Sequence, residues 1–180
     1  MNPAHLLWMV PLLGMLLWAA VEDWHSRRIR NWLTFSMILS GFLQTFLPIN
    51  HLTPGESALG FVVGFALPFA LFVLGAVGGG DVKLLAGVGA WVGAVAVFRI
   101  FCAEAIVGML IVLTQATFQG RLRPLARNSA MLAVHLIHVD QVGLEHTKLT
   151  GQSSRSVDRP LPFAVPVLIA VIGLSLLGAV

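Results

Sequence analysis

Six apolar segments separated by polar ones run through the 180 residues, at 3–21, 32–50, 58–77, 84–98, 100–118 and 161–179. Most are near the roughly 20 residues that a helix needs to cross a hydrocarbon core about 30 Å thick. No segment alternates with the period of two that a barrel strand requires. In lipid the backbone must then satisfy its own hydrogen bonds as helix. The pattern predicts an all-α, polytopic membrane protein with about six transmembrane helices in a single domain.

The fourth segment is the short one. Only Arg99 and Glu104 interrupt the apolar run from Leu84 to Phe118, about 35 residues long. As one helix it would extend roughly 50 Å at about 1.5 Å per residue. That exceeds a single ordinary crossing. A turn is expected near 99–103, with Arg99 snorkelling to the interface.

Composition supports lipid as the solvent. Apolar residues make up 57% of the chain, charged residues 11%, and mean hydropathy is +0.88. A soluble domain carries about 25% charged residues. The net charge of +3 says little until the basic residues are placed. They do not gather in one soluble basic domain, which argues against nucleic-acid binding. The lone cysteine, Cys102, excludes an intramolecular disulfide and a four-cysteine zinc site, and reads as a small apolar packing residue.

Placement fixes an expected topology. Basic residues favour cytoplasmic loops. With six spans and both termini outside, the 22–31 loop, the 78–83 turn and the 119–160 loop face inward. Ten of the eleven Lys and Arg residues are then cytoplasmic, leaving Arg99 outside. Merging the fourth and fifth spans would reverse the basic 119–160 loop. Residues 6–21 resemble a signal-peptide core, but no Lys or Arg precedes them. They are read as a retained first span. Within 119–160, Ala130–Val139 is too short to span and is expected at the interface, with Arg127, His135 and His138 near the headgroups. Thr150–Arg159 reads as loop. His135 and His138 are two candidate ligands without a third, so no metal site is expected.

Most acids need no special account. Glu56, Asp140, Glu145 and Asp158 fall in predicted loops, and Glu104 is expected in an interfacial ion pair with Arg99. Asp81 lies in Gly78-Gly79-Gly80-Asp81-Val82-Lys83. Three glycines give a turn of unusual freedom that a substrate backbone can approach closely. No Gly-Lys-Ser/Thr follows, which excludes a phosphate-binding loop of that kind. Asp23 opens Asp23-Trp24-His25-Ser26-Arg27-Arg28-Ile29-Arg30-Asn31, which taken alone reads as a juxtamembrane stop with Asn31 capping the second helix.

Together the two acids carry more weight. Both fall at the cytoplasmic ends of spans, at one membrane level. Two partly desolvated carboxyl groups in contact do not ionise together readily. The ionised one takes a proton from water, and the protonated one donates to a scissile carbonyl. Such a site needs no metal and no cofactor.

Gly78-x-Gly80-Asp81-x-Lys83 resembles the GxGD signature of type IV prepilin peptidases. Asp23 followed six residues later by Ile29-Arg30-Asn31 resembles their first aspartate motif, an Asp followed by Ile-Pro-Asn. Arg159-Pro160-Leu161-Pro162-Phe163-Ala164-Val165-Pro166 resembles the proline-rich lead-in to their last helix. The resemblance implies a multi-pass inner-membrane aspartic endopeptidase. It would cut a short basic leader from a prepilin or pseudopilin precursor, after a glycine and on the cytoplasmic side. It also implies Asp23 and Asp81 as catalytic, Gly78 and Gly80 as shaping the turn, and Lys83 and Asn31 as motif positions beside the substrate. Arg30 departs from the family's Pro. No paired-cysteine domain is seen, so methylation of the new N-terminus is not expected. The shape is similar to short, stand-alone members serving tight-adherence pili.

Three other readings compete. One is a non-enzymatic membrane component of a pilus or secretion assembly. Another is a different GxGD protease, of the preflagellin type; a presenilin-like one is disfavoured because its first Asp follows a Tyr and this chain has none. A small transporter would need acids near mid-span.

Overall fold

The computed structural model describes residues 3–47, 52–74, 77–119 and 162–179. Among them every regular element is helical. Helix α1 is Pro3–Ser26. Helix α2 is Asn31–Leu43, followed by a 3-10 turn at Gln44–Phe46. Helix α3 is Pro54–Val73, α4 is Gly79–Val92, α5 is Ala94–Phe118 and α6 is Ala164–Leu176. By length and composition, α3 and α5 are able to cross a membrane. The expected interfacial patch and its histidines lie outside the described residues.

Close backbone contact at glycine joins α2, α3 and α4. Gly60 of α3 meets Gly89 of α4, and Gly64 meets the Leu85 carbonyl, so closely that neither position has room for a Cβ. A Cβ on Gly41 of α2 would lie 2.8 Å from that of Ala90. Small residues let helices in lipid approach for dispersion contact, and polar side chains then bond across the seam. The last carbonyls of α4 have no N–H donor within the helix. Ser57 Oγ donates to Ala90 O at 2.7 Å, and Gln44 Nε2 donates to Trp91 O at 2.9 Å. Trp91 Nε1 in turn donates to Met37 O at 3.0 Å.

A second seam brings α6 between α1 and α5. The fully buried side chains include Leu12 and Leu16 of α1, Met37 of α2, Leu84 and Val88 of α4, Ile100 of α5 and Val171 of α6. Apolar side chains also cover the outside: Phe65 and Phe69 of α3 and Ile106 and Leu110 of α5 are exposed. A helix apolar on every face belongs in lipid or a large core.

Three boundaries differ from the sequence reading. The turn expected near 99–103 falls at Gly93 instead, with φ 83° and ψ 173°, a conformation almost confined to glycine. Arg99, expected at that turn, lies inside α5 and donates to Ala179 O at 2.8 Å. Helix α3 begins at Pro54 because Thr53 and Glu56 form a reciprocal cap: Glu56 N–H donates to Thr53 Oγ1 at 3.2 Å, and Thr53 N–H to Glu56 Oε2 at 2.8 Å. The 78–83 turn is already helix from Gly79 onward.

Candidate active site

Helix α1 ends where Arg27 takes a left-handed φ of 52°, its N–H donating to Asp23 O at 2.9 Å. That geometry is a common helix stop. Asp23 therefore belongs to the last turn of α1, beyond the apolar stretch 3–21, and is 6% exposed. Its Oδ2 accepts the Ala164 N–H at 3.1 Å. Helix α6 has no capping side chain of its own at Phe163. Asp23 supplies the missing acceptor from another helix, where the α6 dipole favours a negative charge.

Asp81 is the third residue of α4. Its Oδ2 reaches back to accept the Gly78 N–H at 3.1 Å. This is half of a capping box, since glycine has no side chain to complete it. The glycines act through closeness rather than through unusual backbone angles. Gly78 has φ −82° and ψ 153°, open to any residue. A Cβ there would crowd Asp81 Oδ2 at 3.1 Å, and one on Gly80 would face Ile29 at 3.7 Å.

Both acids line one cavity of about 490 Å³. Arg27, Arg28, Ile29 and Asn31 form one wall, Gly78, Gly79 and Gly80 another, and Pro162 and Phe163 close it from α6. Burial pushes the Asp81 carboxyl up to about 7; the Gly78 N–H opposes this and the charge of Asp23 adds to it. Burial also raises Asp23, against the N–H groups of Ala164 and Phe163 and the charge of Arg27. Both groups sit at helix ends, outside the apolar stretches. The arrangement offers one carboxyl that keeps its proton near neutrality and a second, more strongly hydrogen-bonded one beside it. That is the pairing that general acid–base hydrolysis uses.

Lys83 does not line this cavity. Its Nζ donates to Asn31 Oδ1 at 3.0 Å, and the two line a neighbouring groove of about 560 Å³ with Phe35, Phe61 and Phe65. Asn31 is thus not the cap of α2: Arg30 occupies the N-cap, and the Asn31 side chain is taken by Lys83. Arg30 Nε instead pairs with Glu22 Oε1 at 2.8 Å. Asn31 lines both cavities and joins them.

Glu104 is where the sequence reading missed. No ion pair with Arg99 forms among the described residues. Glu104 is 3% exposed, and its Oε2 has no hydrogen-bond partner. It lies within electrostatic reach of Asp81. The turn at Gly93 explains why. Asp81 is twelve residues before Gly93 and Glu104 eleven after it. At about 1.5 Å per residue, both are about 17 Å along their helices from the turn. Misplacing the turn put Glu104 at the wrong depth. Among the described residues, no group of three His, Cys, Asp or Glu side chains is arranged to hold a metal ion.

Comparison with known proteins places the chain in a family. Residues 10–113, which include both aspartate motifs, match the type IV leader peptidase family. Over 85 residues the chain is 39% identical to the preflagellin peptidase of Methanocaldococcus jannaschii and 38% identical to that of Methanococcus voltae. Each match covers 45% of this chain and 36% of the relative. No solved structure matches. Helix α6, which holds the Asp23 carboxylate, lies beyond the family-matched residues. With well over half its length matched, the chain belongs to the type IV leader peptidase family.

Proposed function

We propose that the protein is an aspartic endopeptidase that removes a short leader from pilin-like precursors at the cytoplasmic lip of the inner membrane. The observation that carries this reading is the shared cavity. Two acids 58 residues apart in sequence face one space large enough for a peptide segment, with glycine backbone on one side. Asp23, the better hydrogen-bonded acid, takes the proton of the attacking water. Asp81 gives its proton to the scissile carbonyl oxygen. As the gem-diol intermediate collapses, Asp23 gives its proton to the leaving amine and Asp81 takes one back from the gem-diol hydroxyl, which leaves the pair ready for a second cycle. Gly78 and Gly80 admit the extended substrate backbone, and the Asn31–Lys83 pair borders it. This chemistry uses no metal and no cofactor.

The membrane arrangement belongs to the same proposal. Six spans with both termini outside put Asp23, Asp81 and ten basic residues on the cytoplasmic side, where water reaches the site. The apolar outer faces of α3 and α5 support insertion. The precursor is a prepilin or pseudopilin in the reading from motifs. The named activity of the archaeal relatives favours a second reading of the substrate, a preflagellin.

Co-expression tests both. The chain is paired with a prepilin or with a preflagellin, and leader loss is followed by a mobility shift. Cleavage by the wild type and none by Asp81→Asn supports the peptidase, and the precursor that shortens identifies the substrate. Full processing by Asp81→Asn would remove Asp81 from catalysis.

A further inference from the structure

We propose that Arg27 is a positioning residue of the peptidase: its guanidinium, set in the cavity wall by a left-handed helix stop, supplies the positive charge beside which Asp23 works as the base. The inference rests on the peptidase reading above and extends it to a residue beyond the two carboxyl groups.

Three observations carry it. Arg27 and Asp23 line the same cavity, one helical turn apart, and the Arg27 N–H donates to Asp23 O at 2.9 Å. Arg27 also holds a φ of 52°, and among the described residues it is the one non-glycine with positive φ. Glycine adopts that angle freely, whereas any other residue there costs stability. Strain of this kind on a cavity wall points to a use for the side chain. Finally, the side chain has no competing partner. Among the described residues the one ion pair is Arg30–Glu22, and no hydrogen bond uses the Arg27 guanidinium. Its charge acts on Asp23, where it joins the N–H groups of Ala164 and Phe163 in opposing burial.

The other groups about Asp23 do not supply this charge. On α1, Glu22 is paired with Arg30, and His25 Nδ1 bonds to Val21 O at 2.9 Å. Arg28 shares the cavity wall, but Arg27 is the cation that acts on Asp23. Helix α2 brings the neutral Asn31; α4 brings Asp81, of opposite charge, and Lys83 is turned away to Asn31. Glu104 of α5 is buried and does not line the cavity. Helix α6 brings Pro162, Phe163 and the Ala164 N–H.

The effect has one direction. A nearby cation favours the ionised carboxyl, so its removal moves the titration of that carboxyl up. Asp23 serves as base only when ionised, and its titration sets the acid limb of kcat/KM. Arg27 is exposed, so water and salt screen part of the effect.

The test is the pH profile of kcat/KM, measured in detergent at low salt on the precursor found above. Arg27→Gln keeps the strained angle without the charge, Arg27→Gly removes both, and Arg27→Lys keeps both. For Arg27→Gln and Arg27→Gly the acid limb is expected to move up by about half a pH unit, with activity retained at higher pH. Arg27→Lys is expected to keep the wild-type limb. Arg27→Gly should also melt about 2 °C or more above Arg27→Gln, so that the more stable variant still has the displaced limb. An Arg27→Gln profile that superimposes on the wild type overturns the inference. So does an Arg27→Lys limb that moves as far as that of Arg27→Gln. A loss equal at every pH overturns it too, as the mark of a structural or headgroup-anchoring role. If Arg27→Gln does not fold, Arg27→Gly, free of the strain, decides by the same limb. A wild type that cuts no precursor overturns the peptidase reading itself; a wild type that cuts, with the variants' limbs unmoved, overturns this inference alone.

Discussion

The Asp23 carboxylate accepts the backbone N–H of Ala164, 141 residues further along the chain, at 3.1 Å. One acid thus closes the start of α6 and faces the cavity. Asparagine keeps an acceptor oxygen in that place but cannot carry charge. Asp23→Asn is therefore expected to insert and fold, with cleavage reduced by at least about 100-fold, the usual scale of a lost general base. Asp23→Ala loses the acceptor as well, and should also destabilise by about 1 kcal/mol. Leader processing and detergent melts, run on both variants, separate the two roles.

Asp81 makes stability depend on pH. Its carboxyl holds its proton up to about 7 in the folded chain, against an ordinary value of 3.8. Below pH 4 both folded and unfolded chains are protonated there, and the residue contributes nothing. Between pH 4 and 7 the unfolded chain releases this proton while the folded one keeps it, so stability falls as pH rises. Asp81→Asn lacks that loss. It should match the wild type in unfolding at pH 4 and exceed it at pH 8, by up to about 4 kcal/mol. Cleavage by the wild type should decline above about pH 7, as the acid loses its proton. Equal unfolding midpoints at pH 8 would contradict this.

Lys83 and Asn31 should behave as a pair. Their 3.0 Å bond is exposed and joins α4 to α2. Lys83→Met and Asn31→Ala are each expected to cost about 1 kcal/mol, and the double variant little more than either alone. A double-mutant cycle on unfolding gives the coupling. Additive losses would mean that the bond contributes nothing.

Arg30 stands where the family's motif has Pro, yet its φ is −66°, the angle a proline ring imposes. No described hydrogen bond uses its N–H. The Glu22–Arg30 pair is the only described ion pair that proline removes, and an ion pair this exposed on the Arg side is worth little. Arg30→Pro is expected to be neutral or stabilising by about 0.5 kcal/mol, with cleavage unchanged. A loss of folding would show that the Glu22 pair matters more than its exposure suggests.

Gly93 and Gly108 make a matched control for the turn. Gly93 has a φ of 83°, and a Cβ there would lie 3.1 Å from Leu52, whereas a Cβ on Gly108 meets nothing within 4 Å. Gly93→Ala should destabilise by about 2 kcal/mol. Gly108→Ala, in the interior of α5, should stabilise by about 0.5–1 kcal/mol. Thermal melts of the two variants in detergent should move in opposite directions.

The apolar runs were legible along the chain because a helix in lipid shows its solvent on nearly every face. Asp23 and Asp81 stood out for the same reason, as charged residues at the edges of such runs, in spacings that resemble a known pair of motifs. The all-helical class and the family followed from those local patterns. Other features depended on contacts between distant residues. Arg99 lies within α5 rather than at the turn, and its partner at Ala179 is 80 residues away. Gly93, one of 18 glycines, gave no sign of being the turn, because its positive φ is set by packing. The common depth of Glu104 and Asp81, and the N–H that α6 offers Asp23, depend on where the helices fold back. A hydropathy pattern records how far each segment extends but not which segments meet, and only the packed bundle decided that.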